Sequence, residues 1–155
     1  MESCGNWCRS PHTHRPQIQK THGCKNNYTQ LQTIRTPYTA QRLKQLLWSD
    51  KEWIKYVTNK NLETHILKKG GDLVGYYEQE YHPSINEVEL INLGVLKEFR
   101  GLKLGSTLVS HAVASASRKN PERLWVHTCS LDHKHALQNY KSKGFEIFKE
   151  EEIDF

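Results

Sequence analysis

Long apolar runs are missing from this chain. None approaches the roughly 18 residues that a membrane-spanning helix needs, so no membrane partner is expected. The opening MESCGNWCRSPHTHR has no apolar core of the kind that marks a secretory signal. Large aliphatic residues are scarce from Met1 to Pro37, where Ile18, Leu31 and Ile34 are the main ones. Acidic residues are scarcer still in that stretch. Arg9, Arg15, Lys20, Lys25 and Arg35 face the single acid Glu2, so this stretch carries four of the five net positive charges. The remainder is nearly balanced, and the basic character does not extend to the whole protein. Nucleic acid is not expected as a partner, because Trp7 and Tyr28 are too few aromatics for a stacking platform. Cysteine is sparse, with four in 155 residues. Without a secretory signal, reduced thiols and a cytoplasmic location are the expectation.

What remains is enough for one domain with a core. The hydrophobic fraction is 36% and the charged fraction 25%, values of a globular chain rather than a disordered one. The composition divides the chain into a basic, low-apolar N-terminal extension, residues 1–37, and a folded domain, residues 38–155. The extension reads as largely irregular, with Gln30–Arg35 able to add one short edge strand. It gathers Cys4, Cys8, His12, His14, His22 and Cys24, but their spacing matches no standard zinc finger, so no metal is expected.

Within the domain, Thr39 can cap a helix AQRLKQLL, and Ser49 or Asp50 a second one, KEWIKYVTNK. Trp48, Trp53, Ile54 and Val57 are expected in the core. Asn61–Lys69 and Asp72–Tyr81 form strands around the turn Gly70-Gly71-Asp72, and Gly75 marks a bulge or a close backbone approach. Glu87–Val95 is the third strand. Strict alternation puts Glu87, Glu89, Ile91, Leu93 and Val95 on one face and Val88, Leu90, Asn92 and Gly94 on the other. Leu104–Lys119 has an apolar helical face. Arg123–Cys129 is a strand, Asp132 can cap the last helix, Gly144 can end it, and Phe145–Glu150 is the final clear strand.

The chain is organised around Glu87–Ser106, EVELINLGVLKEFRGLKLGS. A strand enters a basic, glycine-bearing turn, and a helix follows. Helix-start N–H groups lack intrahelical partners and sit at the positive end of the dipole, which suits an anion. Arg100 and Lys103 add full charges.

A second stretch extends this reading. Arg100-Gly101-Leu102-Lys103-Leu104-Gly105 resembles the acyl-CoA loop Gln/Arg-x-x-Gly-x-Gly/Ala of the GNAT superfamily of N-acyltransferases. Ala136, Tyr140, Gly144 and Phe145 resemble that superfamily's later pattern Ala-x-x-x-Tyr-x-x-x-Gly-Phe. The likeness runs from about Trp48 to Lys149 and is greatest to a bacterial subgroup with an uncharacterised acceptor. Two positions depart from it: Lys103 replaces the first loop glycine, and Asp132-His133 stand where many relatives carry Asn.

The resemblance implies an α/β fold, a GNAT-like mixed sheet with helices on both faces and central strands splayed around the acyl-CoA site. It makes residues 38–155 an acyltransferase domain. The implied reaction is direct transfer of an acetyl group from acetyl-CoA, as co-substrate, to a primary amine on a small molecule or peptide. The alternative is an inactive GNAT-like module that binds only CoA or a partner. The implied acyl-CoA site comprises Leu93, Gly94 and Val95, whose backbone would pair with the pantetheine, and Arg100, Gly101, Leu102, Lys103, Leu104, Gly105 and Ser106, which would hold the pyrophosphate. Tyr140 would be the general acid toward the leaving thiolate. Glu89 is the candidate base, directly or through a water, with Glu87 the alternate. His127, His133 and His135 have suitable acidity for the same work. Cys129 is discounted as a nucleophile because no third orienting group accompanies His127. Trp48 or Trp53 could also line the acceptor cleft. A homodimer is left open.

Overall fold

The computed structural model describes residues 17–22, 45, 47–130 and 132–152. A six-stranded sheet forms its centre. β1 is Gln17–His22, β2 Leu62–Lys69, β3 Asp72–His82, β4 Glu87–Val95, β5 Arg123–Cys129 and β6 Glu146–Glu152. The helices are α1, Asp50–Val57, α2, Leu104–Ser117, and α3, Ala136–Ser142. The strand order is β2-β3-β4-β5-β1-β6. β2, β3 and β4 are antiparallel neighbours, whereas β4–β5, β5–β1 and β1–β6 are parallel. The mixed sheet expected from the sequence is therefore present, and helices lie on both of its faces.

Local chemistry accounts for the elements. Gly70 and Gly71 have φ of 60° and 92°, the left-handed pair that a tight hairpin between β2 and β3 requires. Ser49 and Glu52 form a reciprocal capping box at the start of α1, with the Ser49 N–H donating to Glu52 at 2.7 Å. Gly144, with φ of 88°, follows α3 and turns the chain into β6. The core lies between the sheet and α2–α3. Val88, Leu90, Leu124 and Val126 from the strands meet Leu108, Val109, Ala112, Tyr140 and Phe145.

Four expectations change. The segment read as largely irregular contains β1, which sits inside the sheet between β5 and β6. Such a strand is held by ladder hydrogen bonds on both edges, and composition does not display these. Of the six cysteine and histidine residues noted there, only His22 falls among the described residues; Gln30–Arg35 and the other five lie outside them. Second, α1 buries no residue. Trp53, Ile54 and Val57 are 39%, 61% and 66% exposed, so they do not form core. Third, the strict alternation of β4 fails. Glu78 pairs with Asn92 but Gln79 pairs with Leu90, so Ile91 is an extra residue in a bulge. The bulge turns Leu93 and Val95 to the α2 side with Val88 and Leu90, away from Glu89. Fourth, Asp132 does not cap the last helix; His135 occupies that position. Most of the helix expected at AQRLKQLL lies outside the described residues.

Candidate active site

The site begins where β4 and β5 separate. They pair only from Glu87–Arg123 to Leu90–Val126. Beyond Leu90 the bulge at Ile91 redirects β4, and the β4–β5 ladder ends there. The C-terminal ends of the two parallel strands thus splay. Leu93, Gly94 and Val95, the residues expected along the pantetheine, lie on that diverging end.

The basic turn lies just beyond. Arg100 Nε donates to the Val95 carbonyl at 3.2 Å, tying the loop to the strand end. Gly101 has φ of 82°. Lys103 has φ of 60° and ψ of 14°, a left-handed conformation at the position where the acyl-CoA loop pattern carries glycine. The lysine adopts the glycine's backbone and bears its strain. The first turn of α2 then supplies the N–H groups of Leu104, Gly105 and Ser106. They precede the first helical bond, from Thr107 N–H to the Lys103 carbonyl at 3.2 Å, and are oriented for an anion. A Cβ on Gly105 would lie 3.5 Å from Asn139 Nδ2, so α3 passes close to this helix start. Leu102 is 54% exposed.

Tyr140 projects from α3 into the core, 6% exposed, with its ring centroid 5.6 Å from that of Phe145. Burial, and then the charge of Asp132, push its phenol above the ordinary value of 10. The hydroxyl therefore keeps its proton. Asp132 turns back to the end of β5, accepting from Thr128 Oγ1 at 2.6 Å and from the Cys129 N–H at 3.2 Å. Burial raises its pKa against those bonds. Cys129 is a buried free thiol whose S–H donates to Asp132 at 3.8 Å. His133 lies near Arg100; burial first and that charge second hold its imidazole below the usual range.

Glu89 occupies the other face of the sheet, beneath α1. It lines a cavity of about 580 Å³ together with Trp48, Glu52, Lys55, Tyr56, Asn59, Glu80 and Ile91. That volume suits a small ligand or the end of a larger one. The register sets Glu89 directly opposite Glu80 and beside Trp125. Burial and, to a lesser degree, Glu80 raise the Glu89 pKa, while its hydrogen bond with His82 Nε2, at 3.2 Å, lowers it. Glu80 itself accepts from Asn59 Nδ2 at 2.6 Å. Behind them Glu78 accepts from Tyr56 at 2.9 Å and from Asn92 at 2.6 Å, locking α1 to the sheet. Trp48 and Tyr56 form an aromatic wall, with ring centroids 5.1 Å apart. Trp48 thus lines the cavity.

The structure groups the expected residues into two sets. Leu93–Val95, the basic loop and Tyr140 lie toward the α2–α3 side, and Glu89 lies on the α1 side. Glu87, the alternate base, is held by Arg123 at 2.6 Å. Sequence reasoning missed His82. The pairing of Tyr81 with Val88, which follows from a short link between two alternating strands, would have placed it beside Glu87 and Glu89.

Residues 28–145 match the model of the acetyltransferase (GNAT) family. No curated protein matches the chain. Among solved structures, an IAA acetyltransferase from Bacillus cereus ATCC 14579 is 27% identical, with a TM-score of 0.53 over 65% of this chain and 65% of that one. The ribosomal-protein-S18-alanine N-acetyltransferase from Escherichia coli is 20% identical, with a TM-score of 0.53 over 63% of this chain and 60% of that one. A transcriptional regulator from Bacillus halodurans C-125 is also 20% identical, with a TM-score of 0.53 over 62% of this chain and 67% of that one. At 20% the likeness is one of fold. The chain spans roughly three fifths to two thirds of the length of these relatives.

Proposed function

Because the chain belongs to the GNAT acetyltransferase family, we propose that it transfers an acetyl group from acetyl-CoA directly to a primary amine. The observation that carries this reading is the splay of β4 from β5 after Leu90, with the basic loop at one end and Glu89 at the other. A thioester laid along Leu93–Val95 would meet backbone groups that β5 does not cover. Its pyrophosphate end would lie against the N–H groups of Leu104–Ser106, with Arg100 and Lys103 contributing charge. Backbone N–H groups of the same strand end would stabilise the oxyanion.

The amine would arrive through the cavity under α1. An ammonium is not a nucleophile, so it must first lose a proton; of the three carboxylates that line the cavity, Glu52, Glu80 and Glu89, Glu89 stands on β4, two residues before the bulge at Ile91. Attack on the thioester carbonyl then forms the C–N bond, breaking the C–S bond releases thiolate, and the second proton that the nitrogen sheds in becoming an amide ends on that sulfur, giving the free thiol. Tyr140 donates to that sulfur. Small amines and peptide amines both fit this reading, and a cytoplasmic location accompanies it. None of the described helices is long and apolar enough to cross a membrane.

The test is thiol release from acetyl-CoA against a panel of small amines and peptides, with Glu89→Gln as the control. Turnover with at least one amine, reduced about 10²–10⁴-fold in the variant, is expected. Binding of CoA without acetylation of any amine would overturn the enzyme reading in favour of a binding module.

A further inference from the structure

We infer that His82 is a positioning residue for Glu89, holding one carboxylate oxygen so that the other is presented to the amine. The inference rests on Glu89 being the base of the proposed reaction.

His82 is the last residue of β3, and Pro83 follows it. Its direct partner across the ladder is Glu87, not Glu89. Glu87 is engaged by Arg123 Nη2 at 2.6 Å. His82 instead reaches diagonally to Glu89 Oε2 at 3.2 Å. An ionised carboxylate only accepts, so Nε2 carries the hydrogen and donates. Both side chains are largely buried, 29% and 19% exposed. Glu89 lines the cavity, whereas His82 stands behind it.

The charged surroundings of Glu89 explain why such a partner is needed. From β3 it faces Glu80 and His82. On its own strand Glu87 is paired with Arg123 of β5, and α1 contributes Glu52, Lys55 and Tyr56 to the cavity. Glu80 sits directly opposite, and like charges in that relation disfavour each other. Burial and Glu80 both push Glu89 toward its neutral form, in which it cannot accept a proton from the ammonium. The bond from His82 opposes them. In the proton transfer one N–H bond of the ammonium breaks and the proton passes to the oxygen of Glu89 that His82 does not hold. His82 keeps its own proton throughout.

The experiment compares the parent protein with His82→Ala, His82→Gln and Glu89→Gln. Histidine ring signals are followed by NMR from pH 5 to 9, and amine acetylation is followed over the same range. The His82 ring signals should shift when Glu89 becomes Gln. In the rate profile His82→Ala should move the acidic limb of kcat/KM to higher pH. At pH 7 it should lower kcat at least tenfold, less than Glu89→Gln does, with acceptor KM within about twofold. His82→Gln keeps a donor and should recover most of the plateau rate. His82 ring signals indifferent to Glu89→Gln would overturn the inference whether or not any amine is acetylated. So would a His82→Ala profile that matches the parent's. If the parent acetylates nothing, the proposed function fails, and the pairing is still judged by the NMR comparison.

Discussion

Gly75 and Gly94 pass so closely that a Cβ built on Gly75 would lie 2.4 Å from the Gly94 carbonyl oxygen. Leu108 of α2 and the Cα of Val95 would be 3.1 and 3.2 Å away. The contact lets β3 press against the diverging end of β4, where the acyl-CoA backbone site is proposed. Gly75→Ala must therefore displace backbone, not a flexible side chain. A loss of about 1–3 kcal/mol, read from the urea midpoint, is expected, with weaker CoA binding. Unchanged stability would show that this approach is slack.

Lys103 gives a prediction of opposite sign. A left-handed non-glycine residue costs about 1–2 kcal/mol, and glycine's larger unfolded-state entropy takes back part of the relief. Lys103→Gly should stabilise the protein by about 0.5–1 kcal/mol, while Lys103→Ala should not. Both remove a charge beside the proposed pyrophosphate site, so both should weaken CoA binding. Calorimetry on the Arg100→Ala, Lys103→Ala double variant is the sharper test. Unchanged affinity there would remove the loop from the site.

Tyr140→Phe should separate chemistry from binding. The ring, which packs on Phe145 within the core, is retained, so stability and CoA affinity should hold. Only the hydroxyl is lost. A phenol pushed above its ordinary range acts by donating a hydrogen bond to the departing sulfur, and removing such a donor costs about 10²-fold or more in kcat. An unaffected kcat would leave Tyr140 as a core residue.

How much of this was legible depends on the kind of information each element needs. β4 and β5 begin and end where their apolar runs do, at Glu87–Val95 and Arg123–Cys129. The place of the basic loop before α2 and of Tyr140 on α3 was legible because residue type and spacing carry it. The bulge at Ile91 was not, since it depends on the register against β3, and a single added residue reverses every later side chain. β1 was missed for a related reason: its place comes from backbone pairing with β5 and β6. His82 and Glu89 are seven residues apart in sequence, and only the β3–β4 register makes them partners. The exposed face of α1 reverses a general expectation, that Trp, Ile and Val are buried.

Glu63 supplies the pH dependence of stability. It bonds to Lys119 at the end of α2, to Gln79 at 3.0 Å and to His65 at 3.3 Å. Lys119 contributes most to lowering its pKa from the ordinary 4.5 to about 2, against the opposing effect of burial. A carboxyl lowered on folding stabilises the folded state above its unfolded value. That contribution is lost as pH falls from about 4.5 toward 2. The Glu63 side chain is 37% exposed, so solvent screening reduces the gain to about 1 kcal/mol. Glu63→Gln should therefore lower stability by about that amount at pH 7. The gap to the parent should narrow through pH 4 and nearly close by pH 2. Urea unfolding at pH 7, 4 and 2 measures it. A gap that stayed constant across those three values would mean that the Lys119 pairing does not govern Glu63 ionisation.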